Sequence, residues 1–177
     1  MNIALSLDKF DINNLFFLEA IKNTIMNDSS FIKVIYSNEV FILNGLCLEF
    51  TLPITHIDKT FNKYKCLFDY RENDSIFYIL NSVEYQILSK CNLNSKKATF
   101  RVNEQLKNGF IKVPILNTND NVQSPGSNIP GSNIPGSNIP GSNSPGSNIQ
   151  SIKFLLKISG VWLTDVEYGL TYKFTQA

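Results

Sequence analysis

Five consecutive pentamers, PGSNI, PGSNI, PGSNI, PGSNS and PGSNI, fill residues 125–149 and constrain the fold more than any other stretch of the chain. The tract carries no charge and holds five of the seven prolines and five of the nine glycines. Pro-Gly pairs favour turns, and one Ile per unit buries too little apolar surface to offset ordering, so the tract is expected to be disordered. The alternative is a β-turn spiral, which needs neighbours to stack on. The flanks differ in kind. Before the tract, FIKVPIL at 110–116 puts Ile111, Val113 and Ile115 on one parity and Phe110 and Lys112 on the other. After it, Ile152, Phe154, Leu156 and Ile158 alternate with Lys153, Lys157 and Ser159. Both patterns have the two-residue period of a half-buried strand. Lengthening a short connection to about 35 residues costs only roughly 2 kcal/mol of closure entropy, and such a coil spans about 30–35 Å. Residues 117–151 are therefore read as an enlarged loop between the last two core strands of a single domain covering 1–177.

The stretch after the tract predicts a hairpin. Residues 152–162 form its first strand, Asp165 and Glu167 belong to the connection, and Tyr168, Leu170, Tyr172 and Phe174 line one face of the returning strand. Gly160 is expected to be a bulge. A lone hairpin is marginal, so partner strands must come from earlier in the chain.

Several segments supply them. Residues 2–7 alternate weakly as a short strand, and 15–26 fits either helix or buried strand, with strand followed by a turn preferred. FIKVIY (31–36) and VFIL (40–43) form a hairpin about Ser37, Asn38 and Glu39. Asn44-Gly45 is a tight turn or a bulge before Leu46, Leu48, Phe50 and Leu52. Residues 61–70 alternate again, with Tyr64, Cys66 and Phe68 inward and Lys63, Lys65 and Leu67 outward. Asn73 or Asp74 then caps a helix whose apolar residues Ile76, Phe77, Leu80, Val83, Ile87 and Leu88 recur at three-to-four spacing up to Lys90. Residues 91–97 read as coil and 99–102 as a short strand, and Asn108-Gly109 is a turn. Pro114 lacks an amide donor and belongs at a sheet edge or bulge.

This order gives a mainly β chain with one central helix. Strands, a helix after the third, then a fourth strand, a long loop and a fifth is the order of an oligonucleotide-binding (OB) β-barrel, here with extra strands. Other small β-barrels and jelly rolls remain open. The enlarged loop falls at one of the two positions such barrels use to meet nucleic acid.

Charge is uneven although the net charge is +1. Residues 59–112 hold ten Lys or Arg against five acids, whereas 1–58 hold three Lys against seven. Three widely spaced cysteines and one histidine build no zinc or redox motif, and no cofactor or metal is expected. Neither GxSxG, HExxH nor a Walker loop is present, so catalysis would rest on scattered carboxylates such as Glu84 or Asp69, and an enzyme is not expected. The first residues carry no basic, apolar leader and no stretch approaches a membrane span, which points to an intracellular protein without membrane contact.

Single-strand binding without sequence preference requires cations along a groove and aromatic faces on which bases stack. The candidates are Lys33 near Tyr36, Lys63 and Lys65, Lys112 beside Phe110, and Lys153 and Lys157 leading to Trp162. Lys63, Lys65, Lys112, Lys153 and Lys157 are assigned to phosphates, and Phe110, Tyr36 and Trp162 to stacking. The bland reading of each lysine is a solvated outer face. Phe110 counts most, because it shares the parity of Lys112 and not that of the core.

The segments IMND (25–28), FIKVIYS (31–37), ILNG (42–45), LKNGFIK (106–112) and, above all, LLKISGVWLTDVEYGLTYKF (155–174) resemble single-stranded DNA-binding proteins of large nucleocytoplasmic DNA viruses, similar to that of phage T7. The resemblance implies an OB barrel that coats single-stranded DNA in viral replication, recombination or repair, without metal or nucleotide, in the host cytoplasm (the viral factory) or nucleus. Self-association is left open. T7-type proteins end in an acidic tail that recruits replication proteins, whereas this chain ends KFTQA, so that partnership is not carried over. The second expectation is a viral structural or protein-interaction β-domain that displays the repeats and binds no nucleic acid.

Overall fold

The alternating segments do form strands, but they are divided between two sheets. The computed structural model describes residues 3–22, 28–114 and 150–177. In chain order its elements are β1 (Leu5–Ser6), β2 (Leu15–Lys22), β3 (Ser30–Ser37), β4 (Ile42–Leu43), β5 (Leu46–Ile54), β6 (His56–Thr60), β7 (Lys63–Leu67), α1 (Asp74–Cys91), β8 (Lys97–Thr99), α2 (Arg101–Lys107), β9 (Phe110–Pro114), β10 (Gln150–Leu163) and β11 (Glu167–Gln176). The chain is mainly β, with α1 as its main helix. The expected disorder of the repeats falls outside the described residues.

The large sheet is built on β10. Its first half, Gln150–Ile158, pairs antiparallel with β5, and its second half, Gly160–Leu163, pairs with β3. On its other side it forms the expected hairpin with β11, and the register shifts between Ile158 and Gly160. Gly160 is required there. A Cβ would lie 2.3 Å from the Ile32 carbonyl oxygen and 2.4 Å from the Phe31 ring. β2 and β4 flank β3, β1 joins β5 in parallel, and β8 joins β11 in parallel. Gly45, at φ +95°, makes the turn into β5 that the Asn-Gly pair indicates.

The small sheet has the order β6-β7-β9. Two corrections to the sequence reading arise here. The barrel is not closed, because β9 pairs with β7 in the small sheet while β10 pairs with β5 and β3 in the large one. The long connection thus joins two sheets and is not a loop inside one. Its expected last residues, Gln150 and Ser151, already pair with Ile54 and Pro53. The edge position foreseen for Pro114 holds, since β9 borders the small sheet and Pro114 faces Lys63.

The inward faces share one apolar cluster. It combines Leu48, Phe154, Leu156 and Ile158 of the large sheet, Cys66, Ile111 and Val113 of the small one, and Phe77, Leu80, Ile87 and Leu88 of α1. Helix α1 follows the expected spacing and ends at Asn92 in left-handed backbone. Asn73 occupies the N-cap position without making a side-chain cap bond; its amide instead donates to the Asp69 carbonyl at 2.8 Å.

The sequence pattern did not mark α2. The alternation reads 99–102 as a short strand, whereas Arg101–Lys107 is helical. The helix has no side-chain cap of its own, and Glu84 of α1 supplies one from a distance. The Glu84 carboxylate accepts from the Val102 amide at 3.0 Å and the Asn103 amide at 2.9 Å. These are two of the donors that a helix N-terminus leaves unpaired. Among the described residues, no helix is long and apolar enough to cross a membrane.

Candidate nucleic-acid interface

The nine expected binding residues separate into two groups. Lys63, Lys65, Phe110 and Lys112 come together on the outer face of the small sheet, whereas Lys33, Tyr36, Lys153, Lys157 and Trp162 belong to the large sheet.

The small-sheet group follows from register. β7 and β9 run antiparallel with Lys65 opposite Lys112, Leu67 opposite Phe110 and Lys63 opposite Pro114. Directly opposed residues share a face. Cys66, Ile111 and Val113 are therefore buried behind them, and the lysines and Phe110 face out. Lys65 Nζ lies 4.6 Å from the centre of the Phe110 ring and Lys112 Nζ lies 5.4 Å from it. Two ammonium groups thus share one aromatic ring, a cation–π arrangement. Asp58 is opposite Lys65 on β6, but its carboxylate is engaged by His56 Nε2 at 2.9 Å. Among the described residues, Lys63, Lys65 and Lys112 form no ion pair.

Beside this face lies an open groove of about 800 Å³ running from β9 toward α2 and β11. Lys63, Phe110 and Lys112 line it from the small sheet, and Arg101, Tyr172 and Lys173 line its far side. Arg101 and Lys173 were not among the expected residues. The sequence pattern places Arg101 in a short strand and Lys173 in the hairpin, with no binding role for either. Register supplies the missing signal for Lys173: it stands directly opposite Lys157 across β10 and β11. Like charges so placed repel, and an anion between them relieves the repulsion.

Two hydrogen-bonded groups fix the far wall. Tyr172 Oη lies 2.9 Å from both the Arg101 carbonyl and Gln105 Oε1, which ties β11 to α2. Burial, reinforced by the nearby Glu84 carboxylate, pushes the Tyr172 phenol up to about 12. Burial also raises the Glu84 carboxyl, against the lowering effect of the Val102 and Asn103 amides. Glu84, considered above as a catalytic carboxylate, has its oxygens occupied as a helix cap.

The large-sheet group is dispersed. Tyr36, expected as a stacking face, is a correction: it is 1% exposed. Its hydroxyl accepts from the Asp11 amide at 3.1 Å and donates to the Lys9 carbonyl at 3.4 Å. Its side chain follows the inward parity of Ile32 and Val34, so the ring packs with the core. Lys153, expected on phosphate, is ion-paired with Glu49 at 2.9 Å. Trp162 is half-buried beside Phe31 and packs over Gly169, and Lys33 stands opposite Gly160.

A second apolar feature lies elsewhere. Phe16, Leu18 and Ile21 of β2 are exposed, and among the described residues β2 pairs with β3 alone. No group of three or more His, Cys, Asp or Glu side chains able to hold a metal is present among the described residues. Comparison with protein-family models, curated proteins and solved structures finds no match.

Proposed function

We propose that the protein binds single-stranded DNA without sequence preference, using the outer face of the small sheet and the groove beside it. The observation that carries this reading is the Phe110 ring with Lys65 and Lys112 both over it, and with neither ammonium neutralised by a carboxylate among the described residues. A base stacks on such a ring when the lysines swing from it to the flanking phosphates. Lys63 and Lys173 extend the basic surface around the groove, Lys157 stands opposite Lys173, and Arg101 lines the same groove ion-paired with Glu104 at 3.2 Å. Helix α1, which follows β7 and precedes β9, supports reading the two sheets as an open relative of the OB barrel. Viral replication, recombination or repair is the setting that the resemblance suggests.

A titration tests the proposal. Labelled oligo-dT and a duplex of equal length are titrated at two salt concentrations. Tighter binding of the single strand, weakening as salt rises, is expected. Absence of binding at low salt, or no preference over duplex, would refute it.

The second reading, a protein-interaction β-domain, is favoured by the exposed apolar row on the edge strand β2. Strand edges of this kind are templates for pairing with another chain. Sedimentation of wild type beside Phe16→Lys tests it: a partner-free monomer in both would count against self-pairing through β2.

A further inference from the structure

Phe61 sits where neither backbone nor core accounts for it. Thr60 and Lys63 are directly paired, so Phe61 and Asn62 alone connect β6 to β7. Phe61 has φ +48°, left-handed backbone that glycine adopts freely and a bulky side chain adopts only with strain. The fold returns nothing for that strain, because Phe61 is 94% exposed. Its surroundings are basic. Phe61 and Asn62 share a recess of about 320 Å³ with Thr60, Lys63, Lys65 and Lys112.

We infer that Phe61 is a base-stacking residue: an unpaired nucleobase lies on its ring while adjoining phosphates meet Lys63, Lys65 and Lys112. This rests on the single-strand reading and adds a second platform to Phe110. A nucleotide supplies a flat π face and a negative charge in one unit, which matches a ring bordered by three ammonium groups. An apolar peptide would supply the ring's partner and leave the ammonium groups unanswered. Phe110 stands opposite Leu67, six positions along the chain from Phe61, so the two platforms lie up to about 20 Å apart. That span fits within the roughly 4–16 nucleotides that a single-strand-binding domain of this size covers. Strain held at an exposed ring is what a preformed platform requires, since the ring needs no rearrangement to meet a base.

The test uses the full-length protein with fluorescein-labelled oligo-dT of about 15 nucleotides, and vesicles of phosphatidylserine and phosphatidylcholine as a separate arm. Phe61→Gly is expected to weaken oligo-dT binding by roughly 5- to 150-fold, with the salt slope unchanged because no charge is removed. Its urea midpoint should equal or exceed that of wild type, since glycine relieves the turn. Phe61→Trp should retain binding. Equal oligo-dT binding by wild type and Phe61→Gly would overturn the inference and leave the single-strand reading standing. Failure of wild type to bind would overturn that reading, and the role of Phe61 with it. Loss of vesicle binding in Phe61→Gly with oligo-dT binding intact would assign the ring to a membrane surface and overturn the inference.

Discussion

Both sheets carry lysines on the outward parity of strands whose other parity is core, yet the two sets of ammonium groups meet different neighbours. In the large sheet Lys153 reaches Glu49, Lys33 faces a glycine, and Tyr36, expected as a stacking face, turns into the core. In the small sheet Lys65 and Lys112 converge on the half-buried Phe110 ring, and Asp58, opposite Lys65 on β6, is taken by His56. Alternation along a strand says which side a lysine faces. What stands beside it there is decided by register with the neighbouring strand, and that is where the two sheets part.

The contrast can be broken most forcefully from the structural side. Gly160→Ala drives a Cβ into the Ile32 carbonyl and the Phe31 ring, so the large sheet should lose about 3 kcal/mol of stability in urea unfolding. A cost below about 1 kcal/mol would mean that the close crossing of β3 and β10 is not needed. Glu84→Ala acts at the groove wall. It leaves the Val102 and Asn103 amides without their acceptor, and a loss of about 2–3 kcal/mol is expected, with weaker oligo-dT binding because α2 carries Arg101.

Glu84 also sets a pH dependence with a definite sign. Its carboxyl is raised in the fold above an ordinary value near 4.5, so the protonated form favours the native state. Its contribution is complete below about pH 4.5 and is lost as pH rises through the raised value. Urea midpoints of wild type should therefore fall relative to Glu84→Gln as pH rises above about 4.5. A parallel course for the two proteins would show that Glu84 is not buried as described.

Tyr36→Phe sharpens the comparison from the other sheet. Loss of the hydroxyl bonds to Asp11 and Lys9 should cost about 1 kcal/mol and leave oligo-dT affinity unchanged. Weakened binding at unchanged stability would return Tyr36 to the interface. The smallest effect is spectroscopic. Ultraviolet titration should show a tyrosine ionising near 12 that is absent from Tyr172→Phe. Since that phenol is raised from 10, its contribution to stability is present below pH 10 and lost as pH rises through 12.

What the sequence displayed follows the range of the interactions involved. The hairpin of β10 and β11, the bulge at Gly160, the turn at Gly45 and helix α1 rest on alternation, three-to-four spacing and local turn chemistry, all of which lie within a few residues. Helix α2 was invisible because its cap is Glu84, 18 residues earlier, and local sequence does not announce a partner at that separation. Strand β6, HIDKT, shows almost no apolar alternation, since its side chains are exposed or half-exposed, and it forms by pairing with β7. The division into two sheets depends on which strands β9 and β10 choose as neighbours, a choice their identical alternation does not encode. The same reason explains the site. Lys63, Lys65, Phe110 and Lys112 were legible as outward residues, and register then joined them. Phe61 was hidden in an alternating run, because nothing local says that the strand begins only at Lys63.

The central claim is that the lysine pair beside Phe110 on the small sheet, and not Lys33 and Lys153 on the large one, meets the phosphates. Two double variants of equal charge change, Lys65→Ala with Lys112→Ala and Lys33→Ala with Lys153→Ala, are compared by oligo-dT affinity across a salt series. Removing the small-sheet pair should lower the slope of log K against log salt by about 1.4, while removing the large-sheet pair should leave it within about 0.3 of wild type. Equal losses from the two pairs, or a larger loss from the large-sheet pair, would contradict the account.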